Sequence, residues 1–299
     1  ISELNSQLDK TAVSSRIIEL ETHIETLSEL LVMLQNNNEN LITELNLAIE
    51  GSDSRLTGEY VPDEGFKFQW EDKDPVYVYP AEVGKSTPVE FVYDEENQIF
   101  KLGIGEVGLV AGKQYYAVCG ATGSSSDFNS DKICAKMNLQ NHLLANLPMV
   151  SDIFTATADG TFATLHHMAG IVEIPVNGSG EIYDIKLDVY NSTDENLCNY
   201  FDVNFDAEGK VSTIDKTATS SRTTMSPTVK PSSSNMLTLS ETEQSLFFPA
   251  LPGTYDNVQI YYSIKNEGGG WSKNSLGTLT VQRGKINKKS TAVTFSLGH

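Results

Sequence analysis

The segment DNVQIYYSIKN, residues 256–266, sets Val258, Ile260, Tyr262 and Ile264 at every second position. Successive side chains of a strand point to opposite faces, so this spacing predicts a strand with one buried face. The same pattern recurs at short intervals. IYDIKLDVY (182–190) places Ile185, Leu187 and Val189 on one face. PVYVYP (75–80), PVEFVY (88–93) and QYYAV (114–118) are β-rich runs set between turn residues. NYFDVNF and KVSTI flank DAEG (206–209), which reads as a hairpin turn. HMAGIVEIPV (167–176) is a further strand, and Pro175 within it predicts an edge or a bulge. Many short strands separated by turn residues specify a β-sandwich or barrel.

The first fifty residues read differently. Heptads counted from Ile17 put Ile17, Ile24, Leu31, Asn38 and Leu45 at a positions. Leu20, Leu27, Leu34, Leu41 and Ala48 take the d positions. Asn38 is the one polar residue in this seam, and no Gly or Pro falls between Ala12 and Glu50. This spacing predicts a coiled-coil helix, with Ile at a, Leu at d and one Asn fixing the register of a homo-oligomer. A helical hairpin broken at QNNNEN (35–40) is the competing reading. The expected organisation is a coiled coil over 1–51, a first β-domain over 52–158 and a second over 159–299. The fold class is therefore mainly β.

Charge narrows the partners. The 299 residues hold 40 acids against 21 bases, a net charge of -19. Phosphate backbones and anionic membrane surfaces need a basic face, so nucleic acid and membrane-surface binding are disfavoured. From Gly268 onwards there is no acid, while Lys273, Arg283, Lys285, Lys288 and Lys289 are present. A lysine-rich edge strand explains this stretch. No run of about 18 apolar residues exists to span a membrane. The sequence begins at Ile1 rather than Met, which fits a removed signal sequence.

Motifs for chemistry are weak. Gly103, Gly105 and Gly108 match G-x-G-x-x-G. A dinucleotide site also needs a helix behind the glycines. LVAGKQYYAV follows instead, so these glycines read as turn and bulge residues and no cofactor is expected. Cys119, Cys134 and Cys198 are too scattered for a disulfide framework or a CxxC metal site, which leaves one disulfide or buried free thiols. His166 and His167 are adjacent on a strand, so one faces the core and the other the surface, and no metal site is expected. No HExxH or G-x-S-x-G motif occurs, and the chain reads as non-enzymatic. Acidic turns at 69–75, 92–98 and 191–197 lack EF-hand spacing. Trp271 in NEGGGWSKN (266–274) is the candidate ligand contact, either as an aromatic platform or as a cap on the core.

Five segments together resemble one family. FQWEDKDPVYVYP (68–80) is similar to the W-x-x-x-D-x-(I/V)-x-V strand of fimbrillin-like proteins, the type V pilin superfamily of surface proteins in anaerobic gut and oral bacteria. GKQYYAVCG (112–120) resembles their G-x-x-Y-Y-A-x-x-P strand, with Cys119-Gly120 where Pro is usual. NLQNHLLANLPMVSD (138–152), FATLHHMAGIVEIPV (162–176) and LTVQRGKINKKS (279–290) resemble the segments that close the first domain, open the second and end it.

The resemblance implies two tandem transthyretin-like β-sandwiches, export as a lipoprotein to the outer membrane or fimbrium, and a role in adhesion or fimbriae. It also implies polymerisation by strand exchange after cleavage at an Arg ahead of the first domain, the place Arg55 occupies in GSDSRLTGEYVP (51–62). The implied partners are subunits of a fimbria or a surface ligand, with a lipid anchor as the membrane attachment. The coiled coil and the absence of a spare C-terminal strand favour an anchor, accessory or tip component over a stalk subunit. A stand-alone glycan-binding surface lipoprotein on the same scaffold is the alternative.

Overall fold

The computed structural model describes residues 16–17, 20, 23–24, 41–50, 59–61, 65–67, 70–84, 87–120, 133–139, 147–189, 197–216, 237–264 and 271–296. The first strands in chain order are β1 (Leu41–Ile42), β2 (Glu44–Ile49), β3 (Glu59–Val61), β4 (Gly65–Lys67), β5 (Pro75–Pro80), β6 (Val89–Asp94), β7 (Ile99–Leu102) and β8 (Leu109–Val110). Next come β9 (Gln114–Cys119), β10 (Cys134–Leu139), β11 (Met149–Ser151), β12 (Phe154–Thr155), β13 (Thr161–His167), β14 (Gly170–Gly178), β15 (Gly180–Val189) and β16 (Asn199–Phe205). The chain continues with β17 (Val211–Lys216), β18 (Leu237–Leu239), β19 (Gln244–Ala250), β20 (Gly253–Ile264), β21 (Ser272–Val281), β22 (Ile286–Lys288) and β23 (Val293–Phe295). The molecule is mainly β, as the alternation predicts.

The largest sheet runs β11-β13-β2-β7-β6-β5-β9-β12, and β11 also pairs with β9. That extra pairing closes seven strands into a ring, which removes the exposed edges an open sheet would present. Inside it, Leu45, Val76, Val78, Phe91, Phe100 and Leu165 are buried. Trp70 packs edge-on against Phe100, ring centroids 4.8 Å apart. A three-stranded sheet, β10-β16-β17, lies against the ring's outside, where the Tyr116 ring meets Phe205 at 5.1 Å. β9 is therefore buried on both faces from Tyr115 to Cys119, which explains why its sequence runs apolar without alternation.

The remaining strands form two two-stranded sheets, β1-β8 and β3-β4, and two four-stranded sheets. Of the latter, one has the order β19-β14-β22, with β23 also on β14, and the other runs β18-β15-β20-β21. Ile185, Leu187, Val258, Ile260 and Tyr262 are buried as their spacing requires. The predicted hairpin forms, and Asp206 Oδ1 accepts from the N–H groups of Glu208 and Lys210 at 3.0 and 2.8 Å. Strands on either side of residue 158 share sheets. β13 stands in the ring, and β16 pairs with β10 from Cys134↔Asn204 to Leu139↔Asn199.

Two sequence expectations need correction. Leu41 lies in β1 and Leu45 and Ala48 in β2, so a coiled-coil helix running through 1–51 is not supported, and its last heptad is strand instead. Leu45, Leu47 and Ile49 also fit a period of two, and the sheet buries Leu45 completely, which a solitary helix in one chain would not do. Among the described residues, helical backbone occurs only at Arg16, Ile17, Leu20, His23 and Ile24. Ile17, Leu20 and Ile24 are exposed. Leu27, Leu31, Leu34 and Asn38 lie outside the described residues. The second correction concerns β14, which is central rather than an edge. Pro175 falls between Glu173, the last residue paired with β22, and Val176, the first paired with β23. A residue with no N–H is tolerated in such a gap.

Candidate functional site

β2 is the one N-terminal strand inside the ring. Its Leu45 and Ile49 enter the core, each burial stabilising by about 1.5–3 kcal/mol. On one side it runs parallel to β13, with Thr161↔Leu45 through Leu165↔Ile49 in register. On the other it meets β7 antiparallel at Glu44↔Lys101 and Leu45↔Phe100. Two further backbone bonds extend the seat: Glu50 N–H donates to Leu165 O at 2.8 Å, and Leu102 N–H donates to Thr43 O at 2.9 Å. Taking β2 away would leave the backbones of β7 and β13 unpaired in mid-sheet and open a slot lined by core side chains.

A charged cluster holds the end of this seat. His166 Nδ1 lies 2.7 Å from Glu50 Oε2, joining β13 to the residue after β2. His166 Nε2 lies 3.2 Å from Asp152 Oδ1, close but outside hydrogen-bond geometry. Asp152 Oδ1 also accepts from Val211 N–H at 2.8 Å, and Oδ2 pairs with Lys210 Nζ at 2.9 Å. Burial raises the Asp152 carboxyl, but Lys210, the Val211 N–H and His166 outweigh it and hold the group below its ordinary range. The cluster therefore ties β2, β13, the β11–β12 connection and the β16–β17 turn to one another. His167, the other member of the pair, is buried, and burial pulls its imidazole down to about 4.

Trp271 is half exposed and does not cap the core. The Lys186 ammonium sits 4.4 Å from its ring centre and 5.4 Å from that of Tyr261, a cation held between two aromatic faces. Lys186, Tyr261 and Lys273 align across β15, β20 and β21. Arg55 and residues 265–270 of the Gly-rich tip lie outside the described residues, as does the acidic turn at 191–196. In the other two acidic turns the carboxylates serve the backbone. Asp74 Oδ2 accepts from Glu71 N–H at 2.7 Å, and Asp94 Oδ1 accepts from Asn97 N–H at 3.0 Å. The three cysteines are buried thiols that form no disulfide, and burial pushes the Cys119 thiol up. Behind Gly108 stands the two-residue strand β8, not a helix. A Cβ on Gly108 would meet Ile42 O at 2.6 Å, so this glycine lets β1 lie against β8.

The sequence did not bring together Glu50, Asp152, His166 and Lys210. One local signal was available: with Leu165 inward, Phe162, Thr164 and His166 must share the outward face.

No family profile matches this chain, and no curated protein matches its sequence. Solved structures do. A candidate cell adhesion protein from Bacteroides ovatus is 11% identical with a TM-score of 0.51, covering 85% of this chain and 92% of its own. A candidate cell adhesion protein from Bacteroides uniformis is 10% identical with a TM-score of 0.48, over 85% and 92%. A fimbrial protein from Bacteroides ovatus is 11% identical with a TM-score of 0.39, over 87% of this chain and 51% of that one. The latter two likenesses are weaker. This chain is therefore similar in fold to the first of these Bacteroides proteins over most of both lengths.

Proposed function

We propose that this chain is an exported, non-enzymatic cell-surface protein that acts in adhesion or as a component of a fimbria. The observation that carries this reading is the seat of β2, an N-terminal strand built into the middle of a closed sheet. Its connection to the ring's next strands runs through residues 51–58, which include Arg55. A cut after Arg55 would leave β2 held by non-covalent contacts alone: its ladder, the burial of Leu45 and Ile49, the β1–β8 pairing and the Glu50–His166 contact. A strand from a second copy could then take the slot, with backbone bonds supplying affinity and alternate side chains supplying register. The fold shared with the candidate cell adhesion protein from Bacteroides ovatus agrees with this reading.

The finer organisation belongs to the same proposal. The chain forms two transthyretin-like β-sandwich units. The first comprises β1–β13 completed by the β16–β17 hairpin, and the second comprises β14, β15 and β18–β23. A lipid anchor outside this sequence attaches the protein to the outer membrane. The last described strand, β23, is engaged with β14, and Phe295 stacks on Tyr262 at 4.0 Å. An anchor, accessory or tip position remains part of the proposal, although the coiled coil no longer argues for it, because Leu41–Ile42 and Glu44–Ile49 are strands.

The test uses the purified chain and an Arg-specific protease. Cleavage after Arg55 should release the β2 segment and give a ladder of oligomers on size exclusion, and Arg55→Ala should abolish both. A cleaved chain that stays monomeric would sink strand exchange. The alternative, a stand-alone glycan-binding surface protein, draws on half-exposed Trp271. It predicts glycan binding with no filaments on the producing cells.

A further inference from the structure

On the outside of the ring, the parallel register of β2 and β13 sets Asn46 beside Phe162 and Ala48 beside Thr164. Phe162 is 73% exposed although it lies within a strand. A lone exposed aromatic needs no explanation. This one lines a cleft of 510 Å³, within the range of small-molecule sites. Asn46, Gln98, Thr164, Asp152 and Lys210 line the same cleft.

Three features select the occupant. First, the cleft floor is the outward face of β2 and β13, whose backbones pair with each other from Thr161↔Leu45 to Leu165↔Ile49, so a ligand lying on that face meets side chains. A ligand at this place is read by side chains. Second, an aromatic face stands beside two amides and a hydroxyl, which together donate and accept. That combination suits a pyranose ring, whose C–H face is apolar and whose rim carries hydroxyls. Third, Lys210 is already paired with Asp152, Glu50 stands nearby on His166, and the chain carries a net charge of -19. Anionic sugars are disfavoured in that field.

We infer that this cleft binds a neutral hexopyranose unit, stacked on Phe162 with its hydroxyls bonded to Asn46, Gln98 and Thr164. This deepens the adhesion reading and rests on it only in placing the chain where glycans occur. One wall belongs to β2, so the cleft is complete only while β2 is seated. A bound sugar thus favours the seated strand, and the seated strand favours the sugar, by the same factor.

The test is a printed array of neutral hexose oligosaccharides probed with the full chain, followed by calorimetric titration of the strongest spot. Phe162→Ala should weaken binding at least about tenfold, roughly the loss of one aromatic stacking contact. Its melting temperature should barely move, because the ring packs against little. Gln98→Ala should also weaken binding, and it keeps the test valid if Phe162→Ala folds poorly. Trp271→Ala should bind as the parent does. An array with no binding overturns the inference. So does binding unchanged by both cleft variants, or binding lost with Trp271→Ala. The array uses purified protein, so a blank result leaves the surface reading standing. Failure of that reading, in turn, is seen on cells and leaves the array result intact.

Discussion

His167 couples one proton to the whole fold. Its imidazole is buried, and desolvation lowers its pKa from 6.5 to about 4. The nearby Glu50 carboxylate pulls the other way and His166 reinforces the lowering, both by smaller amounts. In the unfolded chain the ring takes its proton near 6.5, while in the folded chain it waits until about 4. The unfolded state therefore binds the extra proton across that window, and stability falls as pH drops from 6.5 to 4. The loss approaches about 3 kcal/mol. Denaturant midpoints at pH 7 and pH 4.5 should show it, and His167→Gln should flatten the difference. Asp152 adds a separate loss at lower pH, because its lowered pKa helps only above the ordinary carboxylate range. Trp271 makes the opposite case. Its ring is half exposed and stacks on the Lys186 ammonium, so Trp271→Ala should cost no more than about 1 kcal/mol in denaturant unfolding. A drop of several kcal/mol would return Trp271 to the core. The sequence left Trp271 open between an exposed platform and a cap on the core. The lysine over its ring was not legible, because Lys186 sits on a different strand.

β2 shows how one run of residues can satisfy two periods. Leu41, Leu45 and Ala48 continue a heptad from Ile17, yet Leu45, Leu47 and Ile49 also alternate. The choice between helix and strand was made by partners more than a hundred residues away on β13. A local pattern cannot contain that information. The same limit hid the ring closure by β11 on β9 and the pairing of β10 with β16. Where the signal is local, the reading was sound. PVYVYP, QYYAV, IYDIKLDVY and DNVQIYYSI form β5, β9, β15 and β20, and DAEG forms its turn. Pro175 was a local signal with a non-local answer, since two short strands share one side of β14 and leave a gap opposite it. The seat of β2 predicts that Leu45→Ala costs about 2–5 kcal/mol, because a fully buried side chain leaves a cavity. Light scattering should show an unchanged oligomeric state. A coiled-coil seam would respond in the reverse way, with assembly lost and the β-domains as stable as before.

At the scale of the whole molecule, the ring and the second pair of sheets share one continuous buried cluster, bridged by the β16–β17 hairpin. The hairpin's turn reaches Asp152 through Lys210 and Val211, and Asp152 reaches β2 through His166 and Glu50. β2, the strand proposed to exchange, is thus held by contacts from both halves of the chain. That arrangement suits a molecule whose N-terminal strand keeps the ring closed until it is exchanged. The comparison with solved structures rests on fold, so location has to be measured on cells. Immunogold labelling of intact, unpermeabilised producing cells, with antibody raised against the β18–β23 region, is the most direct measurement. The account predicts gold on the cell exterior and along filaments or their tips. Gold absent from the surface, and appearing only after permeabilisation, would contradict it.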